Sequence, residues 1–502
     1  MKVYLMYKDK DFDIQQKLPF NEQDLIQDLE LDTLFNNMAL GDKFLYEIAK
    51  KAILSSSNEK NDIETILYRQ NILKDVLKNA AIIREMYNIP IEIIEKKKEY
   101  WYGFFRNDPS GILYNAIKMM QLFVSQLKKL RHIADENYNK FESEGFKALF
   151  QMLKKELDDQ YFLKIQNHLK ELEFRKGVLI SVELGKGNEG TNYILRQPQI
   201  KNRNWVKNIF IQKNPSYIFY IADRDESGAR VLSELKDRAV NLVANALAQS
   251  ADHIENFFEM LRIELAFYVG CLNLYEQLTQ IESPISFPIP VSLNERRQSF
   301  KGLYDLCLAL TKRQKVVSND LNADNKELFI ITGPNQGGKT VFLRSIGLAQ
   351  LMMQCGMFVS ADFFYANTCS GLFTHFKRKE DNKMKSGKLD EELSRMSRII
   401  DNINPNSLIL LNESFSSTNE REGSEIARQI ISALIENNIK VFFVTHLYEF
   451  ANTFYYKNNG NYIFLRAERK KDGTRTFKII EGRPLETSYG EDLYSKIFQK
   501  TL

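Results

Sequence analysis

A short run in the second half of the chain has the residue types and spacing of a phosphate-binding loop. Residues 333–340 read Gly-Pro-Asn-Gln-Gly-Gly-Lys-Thr, which fits the pattern G-x-x-x-x-G-K-[ST] of nucleotide hydrolases. Glycines here let backbone N–H groups approach a β-phosphate, and the N-terminus of a following helix adds positive potential. We expect Lys339 to contact the β- and γ-phosphates and Thr340 to hold Mg²⁺. The loop residues predicted to bind nucleotide are Gly333, Pro334, Asn335, Gly337, Gly338, Lys339 and Thr340.

The segments on either side of this loop have the patterns that the motif requires. An apolar run, 328–331, precedes the loop, as expected of a buried strand. Apolar residues follow it with helical spacing, at Val341, Leu343, Ile346 and Leu348. Strand, glycine-rich turn and helix therefore succeed one another, which is the context that gives the motif its meaning.

A second apolar run, 408–411, ends in two polar residues, Asn412 and Glu413. ATPases with a phosphate loop usually place an aspartate here to order Mg²⁺ and then a glutamate to polarise the attacking water. The glutamate is present, but Asn412 brings a neutral amide to the metal-ordering position. The amide oxygen can still bind a metal-coordinated water, though without charge.

A third apolar run, 441–444, ends in Thr445 and His446. A histidine at the carboxyl edge of a sheet can sense a γ-phosphate. The predicted catalytic residues are therefore Lys339, Glu413 and His446, and the predicted metal site is Thr340 with Asn412.

Length and composition limit the class of protein. With 502 residues the chain is too long for one core, so we expect two to four domains. An apolar content of 44% and a charged content of 27% are typical of a globular protein, and a net charge of +4 gives no overall basic field. No run of about 18 apolar residues and no C-x-x-C spacing occur, so we expect a cytoplasmic protein with free thiols and no membrane contact.

The first half of the chain changes pattern twice. Periodic apolar residues predict helices from about residue 21 to 174. Alternation around a glycine-rich turn predicts a hairpin over 178–195, and 209–222 has the pattern of a further strand. Residues 231–280 keep helical spacing without proline, which leaves open one helix of roughly 75 Å or two helices broken near Ser250.

Prolines 284, 288 and 290 mark a boundary, after which strand-like and helical patterns alternate as in an α/β domain with a largely parallel sheet. The sequence therefore predicts a multidomain protein. Its predicted parts are a helical core over 1–175, a small β-containing region over 176–230, a long helix over 231–283 and an α/β phosphate-loop domain over 284–502.

Residues 332–340 also resemble a more specific loop, the T-G-P-N-x-G-G-K-S/T of the MutS mismatch-repair family, a branch of the ABC-type ATPases. Asn335 within the loop carries this resemblance beyond the general motif. Further similarities follow in family order. Asn319-Asp320 resembles the adenine-contacting segment, Phe373–Phe376 resembles F-T-R with His375 replacing arginine, and Ser386 with Glu391 resembles the signature that reaches the partner subunit's γ-phosphate. Asn412-Glu413 with Thr418 and Gly423 resembles D-E-x-G-x-G-T-S-T-x-x-G, Thr445-His446 the T-H switch, and Ser488-Tyr489-Gly490 the S-Y-G segment. The resemblance implies ATP and Mg²⁺ as ligands and adds Asn319 and Ser386 to the nucleotide site.

The N-terminal part resembles the same family more loosely. Residues 28–32 and 68–70 look like the start of its helical core, 231–280 like its lever and the hairpin like a shortened clamp. Family members that read mismatches have an N-terminal domain with a Phe-x-Glu wedge, whereas this chain begins almost directly at the lever. Phe20-Asn21-Glu22 spells the tripeptide without a surrounding domain, so we interpret it as a coincidence and expect a short member without the mismatch-reading domain.

A stretch without acidic residues, 191–222, is the candidate nucleic-acid contact. Basic residues beside a hairpin tip suit phosphate contacts, although a solvated basic face is the alternative. The predicted contacts are Arg196, Lys201, Arg203 and Lys207.

The resemblance implies a DNA-binding ATPase that uses ATP to switch a lever and clamp around double-stranded or branched DNA, as a homodimer through its ATPase domains. We expect no mismatch specificity. Two alternatives stay open: an ATPase that binds branched DNA, or structured RNA on ribosomes, and a nucleotide-gated scaffold with negligible turnover, which the neutral Asn412 favours.

Overall fold

The computed structural model describes residues 1–57, 62–101, 108–175, 177–197, 217–378, 387–457, 460–470 and 473–485. These residues form two compact units, each built from separate stretches of chain. The first unit contains residues 1–3, 85–139 and 148–262, and the second contains 4–84, 140–147 and 263–502. The boundaries predicted from sequence are consecutive segments, and they stay a prediction.

Helices dominate the first half of the chain, and strands are concentrated in the second. The helices are α1 (Glu22–Leu29), α2 (Leu31–Ala39), α3 (Lys43–Ser55), α4 (Ile63–Lys78), α5 (Ala80–Trp101), α6 (Pro109–Asn137), α7 (Glu144–Glu156), α8 (Asp159–Leu172), α9 (Glu226–Gln280), α10 (Leu306–Lys312), α11 (Lys339–Gln354), α12 (Lys388–Ile400), α13 (Glu420–Glu436) and α14 (Tyr448–Tyr456). The strands are β1 (Leu179–Leu184), β2 (Gly190–Arg196), β3 (Ile289–Val291), β4 (Gln298–Leu303), β5 (Asn319–Asn322), β6 (Leu328–Thr332), β7 (Phe363–Asn367), β8 (Leu372–Phe376), β9 (Leu408–Asn412), β10 (Lys440–Val444), β11 (Tyr462–Arg469) and β12 (Arg475–Glu481).

The first unit packs α6 against the N-terminal part of α9. The rings of Phe123 and Phe258 lie 6.0 Å apart in this interface. Asp237 of α9 accepts a hydrogen bond of 3.1 Å from the backbone N–H of Ser110, at the start of α6. Because α9 runs unbroken for 55 residues, the structure has the single long helix that the sequence left open.

The hairpin of the first unit confirms one strand prediction, and the segment after it corrects another. Strands β1 and β2 pair antiparallel, with Leu179 opposite Arg196. The predicted strand over 209–222 is wrong where it can be judged, since 217–222 form no strand and 209–216 lie outside the described residues. The side chains of Phe219 and Tyr220 are exposed, and within the part of the chain that the structure describes no strand pairs with this segment. The apolar alternation therefore did not produce a strand here.

In the second unit the N-terminal segment is held by a buried glutamate of α9. The side chain of Glu264 is fully buried and accepts hydrogen bonds from the backbone N–H groups of Leu5, Met6 and Phe12. Burial raises the pKa of this carboxyl to about 7, and the three N–H donors oppose that rise. The Tyr268 hydroxyl donates to the Leu5 carbonyl at 2.6 Å, so the segment is fixed through donors and acceptors alike.

A mixed sheet in the second unit has the strand order β12-β11-β6-β10-β9-β8. Strands β11, β6, β10, β9 and β8 are parallel to one another, and β12 at the edge is antiparallel to β11. This confirms the predicted α/β arrangement with a largely parallel sheet. A second sheet, β3-β7-β4-β5, contains both parallel and antiparallel pairs.

Both faces of the larger sheet are covered, which explains its continuous apolar strands. On one face, residues of β6, β9 and β10 share a core with α12, α13 and α14. On the other, α11 approaches so closely that a Cβ on Gly347 would lie 2.8 Å from the Leu410 side chain and 2.7 Å from that of Leu29. The parallel strands therefore bring their carboxyl ends to one edge, where the polar residues that follow them can meet.

The tripeptide Phe20-Asn21-Glu22 lies against β8. The Phe20 ring is 6.0 Å from that of Phe373, and the Asn21 amide donates to the Leu372 carbonyl at 2.9 Å. Among the described residues, no helix combines the length and the apolar composition needed to cross a membrane.

Candidate active site

The predicted phosphate loop joins β6 to α11, the strand and helix that its flanks predict. Gly333 and Gly338 have φ angles of 116° and 91°, in a region that favours glycine. A Cβ on Gly333 would also lie 3.0 Å from the backbone nitrogen of Ala467, a tight contact that adds to the conformational preference for glycine. Gly338 caps α11, so the N–H groups of its first turn point into the loop.

Lys339 is folded back over its own loop. Its side chain is buried, and Nζ donates to the carbonyl oxygens of Gly333 and Pro334, each at 2.9 Å. Burial lowers the pKa of Lys339 to about 8; nearby Glu413 opposes this shift, and Arg475 adds to it. A phosphate oxygen could take the place of these carbonyls and would favour the charged form of the lysine.

Thr340 and Asn412 come together although they are far apart in sequence. The Thr340 hydroxyl donates to Oδ1 of Asn412 at 3.2 Å, across the gap between the start of α11 and the end of β9. Both side chains offer oxygen ligands, which Mg²⁺ prefers. The donor set therefore fits this ion, but Asn412 contributes no negative charge.

Glu413 and His446 form a pair at the ends of two neighbouring strands, β9 and β10. His446 Nε2 lies 3.1 Å from Oε1 of Glu413. The hydrogen bond from His446 lowers the pKa of Glu413, with smaller contributions from Lys339 and Lys377 and an opposing effect of burial. Glu413 is therefore ionised at neutral pH, as a residue that polarises water must be.

The backbone of Glu413 is left-handed, with φ of 54°. For a residue other than glycine this costs about 1–2 kcal/mol. The conformation is fixed in part by the Glu413 N–H, which donates to the Val444 carbonyl at 2.8 Å. Strain of this kind persists where the surroundings over-determine the backbone, often at functional sites.

Next to the loop lies a cleft of about 470 Å³, within the size range of small-molecule sites. Asn319 borders it, and its Oδ1 accepts the backbone N–H of Ile479 at 2.7 Å. Sequence reasoning missed the apolar and basic lining of this cleft: Leu308, Lys312, Lys315, Val317 and Phe477. Phe477 lies on β12, and nothing in the sequence signals that this strand borders the loop.

His375, at the position where the resemblance expects arginine, is buried inside the protein. Burial lowers its pKa to about 4, and the neighbouring Arg395 contributes in the same direction. The ring is therefore neutral and lies away from the cleft lining. Instead of arginine, a lysine follows β8: Lys377 Nζ donates to the Ser416 hydroxyl at 2.9 Å, close to Glu413.

Of the remaining predicted site residues, some are described by the structure and others lie outside the described residues. Arg196 is exposed at the end of β2, where its Nε donates to the Ser181 hydroxyl at 3.0 Å. Ser386, Lys201, Arg203, Lys207 and the segment 488–490 lie outside the described residues. The structure thus brings Lys339, Thr340, Asn412, Glu413 and His446 together at one sheet edge.

Two family models match long stretches of the chain. A model of the MutS2 N-terminal domain matches residues 61–281, and a model of MutS domain V matches residues 329–497. The chain belongs to the MutS family.

Individual relatives are similar at modest identity, two of them over most of the chain. The DNA mismatch repair protein MutS of Clostridium novyi (strain NT) is 26% identical over 478 residues, which cover 85% of this chain and 51% of the relative. The protein of the same name from Thermotoga sp. (strain RQ2) is 25% identical over 438 residues, 86% of this chain and 53% of the relative. MutS protein homolog 4 of Mus musculus is 27% identical over 243 residues, 45% of this chain and 25% of the relative. The chain spans about half the length of the first two of these curated relatives and less of the third.

Proposed function

We propose that this chain is an ATPase of the mismatch-repair type that binds DNA and uses ATP to switch its lever and clamp. The observation that carries the proposal is the arrangement at the sheet edge, where Glu413, paired with His446, borders the same cleft as Lys339. MutS domain V matches this part of the chain, and the similar proteins from Clostridium novyi and Thermotoga are named as DNA mismatch repair proteins.

In the proposed mechanism each side chain has one task. The loop N–H groups and Lys339 bind the β- and γ-phosphates, and Asn319, which borders the same cleft, would contact the base. Glu413 orients the attacking water and accepts its proton, while His446 holds the carboxylate and reports the γ-phosphate. Thr340 and Asn412 would hold Mg²⁺, which supplies positive charge to the phosphate oxygens when bound.

We further propose a homodimer in which Ser386 completes the nucleotide site of the other subunit. Sedimentation of the Glu413→Ala protein with ATP tests this part, because that variant should hold ATP without consuming it. A strict monomer at high protein concentration would contradict a shared site.

For DNA, we propose contacts to phosphates through Arg196 and the predicted Lys201, Arg203 and Lys207. Such contacts position a duplex without reading its sequence, so binding should depend strongly on salt and show little preference for a mismatch. Replacing all four with alanine should weaken binding to every duplex alike and flatten the salt dependence. A preference of about tenfold for a single mismatch, beyond a typical base-pair effect, would overturn the absence of specificity.

The central test compares nucleotide binding with turnover in two variants. Lys339→Ala should lose ATP affinity, because it removes the charge beside the phosphates. Glu413→Ala should bind ATP and fail to hydrolyse it. Glu425→Ala is the matched control, since this carboxylate lies on the exposed side of α13 and pairs only locally, with Arg428 and Gln429. Equal turnover in wild type and Glu413→Ala would refute the assignment of Glu413.

A second candidate function, a nucleotide-gated scaffold with negligible turnover, is favoured by one observation, the neutral amide of Asn412 beside Thr340. The same assay decides between the two functions. Tight ATP binding by the wild type, with no phosphate release in the presence or absence of DNA, would support the scaffold.

A further inference from the structure

The loop that carries Glu413 is held in an unusual backbone conformation. Glu413 and Phe415 both have left-handed φ angles, 54° and 63°. These two residues, neither of them glycine, lie in the turn that follows β9. A loop built this way keeps its shape only if neighbouring groups hold it.

One side chain of α12 supplies two of the contacts that hold this loop. Glu392 is only 2% exposed. Its Oε2 accepts the backbone N–H of Phe415 at 2.7 Å, and its Oε1 accepts the hydroxyl of Ser417 at 2.6 Å. Both carboxylate oxygens are therefore committed to the loop that follows Glu413.

The backbone carbonyl of Glu392 also holds His375, which contacts the loop as well. His375 Nε2 lies 3.0 Å from the Glu392 carbonyl oxygen, and Nδ1 lies 2.7 Å from the Ser414 hydroxyl. Because the ring is neutral and a carbonyl can only accept, we assign the proton to Nε2. Nδ1 then accepts, and it shares the single Ser414 hydroxyl proton with the His375 carbonyl oxygen, which lies 2.8 Å from the same hydroxyl. Glu392 thus holds Phe415 and Ser417 directly and Ser414 through His375.

The far side of the loop is closed by α13. A Cβ on Gly423 would lie 2.5 Å from the Phe415 carbonyl oxygen, so the helix backbone contacts the loop directly. Clamped between α12, β8 and α13, the loop has one side chain that reaches the cleft, Glu413.

We propose that Glu392 is a positioning residue of the reaction, which holds the loop 414–417 so that the Glu413 carboxylate faces His446 and the cleft. The inference rests on the proposed function, because it gives Glu392 a purpose only if Glu413 orients water. Misplacing a catalytic group by about 1 Å can cost about a hundredfold in rate, so the loop contacts matter to catalysis and not only to folding. Among the described residues, no hydrogen bond or ion pair joins Glu392 to the phosphate loop, so we expect nucleotide affinity to depend little on it.

The test measures the nucleotide dissociation constant, the turnover number and the thermal midpoint of each variant. Glu392→Ala should lower kcat by at least about tenfold and change nucleotide affinity by less than about threefold. Glu392→Gln should restore most of kcat, because its amide oxygen can accept the Phe415 N–H and its amino group can donate to Ser417. Ser417→Ala, which removes one of the two contacts, should lie between wild type and Glu392→Ala, and Glu425→Ala is the matched control for loss of a carboxylate.

The outcomes separate this proposal from the one that it rests on. If the wild type hydrolyses ATP and Glu392→Ala does so at the same kcat, the positioning role is refuted while the ATPase stands. If the wild type binds nucleotide without turnover, the proposed function itself fails. Should Glu392→Ala not fold, Ser417→Ala decides: an unchanged kcat overturns the proposal, and a fall in kcat with unchanged affinity supports it.

Discussion

Two segments of the second unit are each held by a buried glutamate that accepts hydrogen bonds from them, yet they differ in what is left exposed. Glu264 of α9 binds the N-terminal segment, in which Leu5 and Met6 are fully buried. Glu392 of α12 binds the loop after β9, where Glu413 remains about one-third exposed.

The difference teaches what a buried carboxylate can be used for. Carbonyl groups of the N-terminal segment held by Glu264 also accept hydrogen bonds, from the side chains of Tyr68, Arg69 and Tyr268. The segment is therefore part of the core. Around Glu392 the bonds hold a strained turn and leave one charged side chain free to reach the cleft. The first arrangement stabilises the fold, and the second orients a reactive group.

The largest expected effect comes from removing the group that the strained loop presents. Glu413→Gln should lower ATP turnover by at least about a hundredfold, the scale of a lost general base. Its effect on the free energy of unfolding should stay within about 0.5 kcal/mol, because the side chain is partly exposed. Phosphate release and urea unfolding measure both. Strong destabilisation of Glu413→Gln would contradict the view that Glu413, unlike Glu264, serves the reaction and not the fold.

The converse prediction concerns the fold. Glu264→Ala should lower the free energy of unfolding by about 3 kcal/mol or more, because three buried N–H groups lose their acceptor. Urea denaturation checks the value, with Glu425→Ala as control, and nucleotide affinity of the folded protein should not change. A loss below about 1 kcal/mol would mean that the N-terminal segment is held by its other contacts.

The pH dependence of Glu264 sharpens the same contrast. Its pKa in the folded protein is raised to about 7, so the folded state binds more protons than the unfolded state between the ordinary glutamate range and pH 7. The stabilisation is therefore fully present below that range and is lost as pH rises through about 7. Unfolding measured from pH 5 to pH 8 should show this fall in wild type and not in Glu264→Ala. A flat difference between the two proteins would refute it.

At the site, Lys339 should make nucleotide binding sensitive to alkali. Since its pKa is lowered to about 8, the nucleotide-free lysine loses its charge above that pH, and a phosphate prefers the charged form. Affinity should fall about tenfold between pH 7 and pH 9. Equilibrium binding measures this. Lys339→Arg stays charged and should remove the pH dependence, whereas an equal slope in both proteins would point to another group.

The smallest effect is expected at Asn412. Asn412→Asp adds a charge beside Thr340 and should lower the Mg²⁺ concentration for half-maximal turnover by about threefold, as a single charge does in a partly solvated site. A Mg²⁺ titration of turnover tests it. If the two curves coincide, Asn412 does not face the metal.

The patterns of the sequence predicted much of the fold because they are local. Periodic apolar residues identified the helices of the first half and the hairpin of β1 and β2. The strand expected over 217–222 failed, since alternation describes a face and does not supply a neighbouring strand to pair with. For a similar reason the sequence did not decide whether α9 is one helix or two, because helical spacing cannot distinguish a continuous helix from two helices in the same phase.

By itself the sequence determined the phosphate loop, because all of its groups come from consecutive residues and its glycines are required by local backbone geometry. It also located Glu413 and His446 at the ends of apolar strands. Only the tertiary structure decided that these two side chains lie 3.1 Å apart, that Phe477 borders the cleft, and that Glu392 holds the loop beside them. Those relations depend on the order of strands in the sheet and on which helix packs beside each strand end, and neither is written in the spacing of residues along one segment.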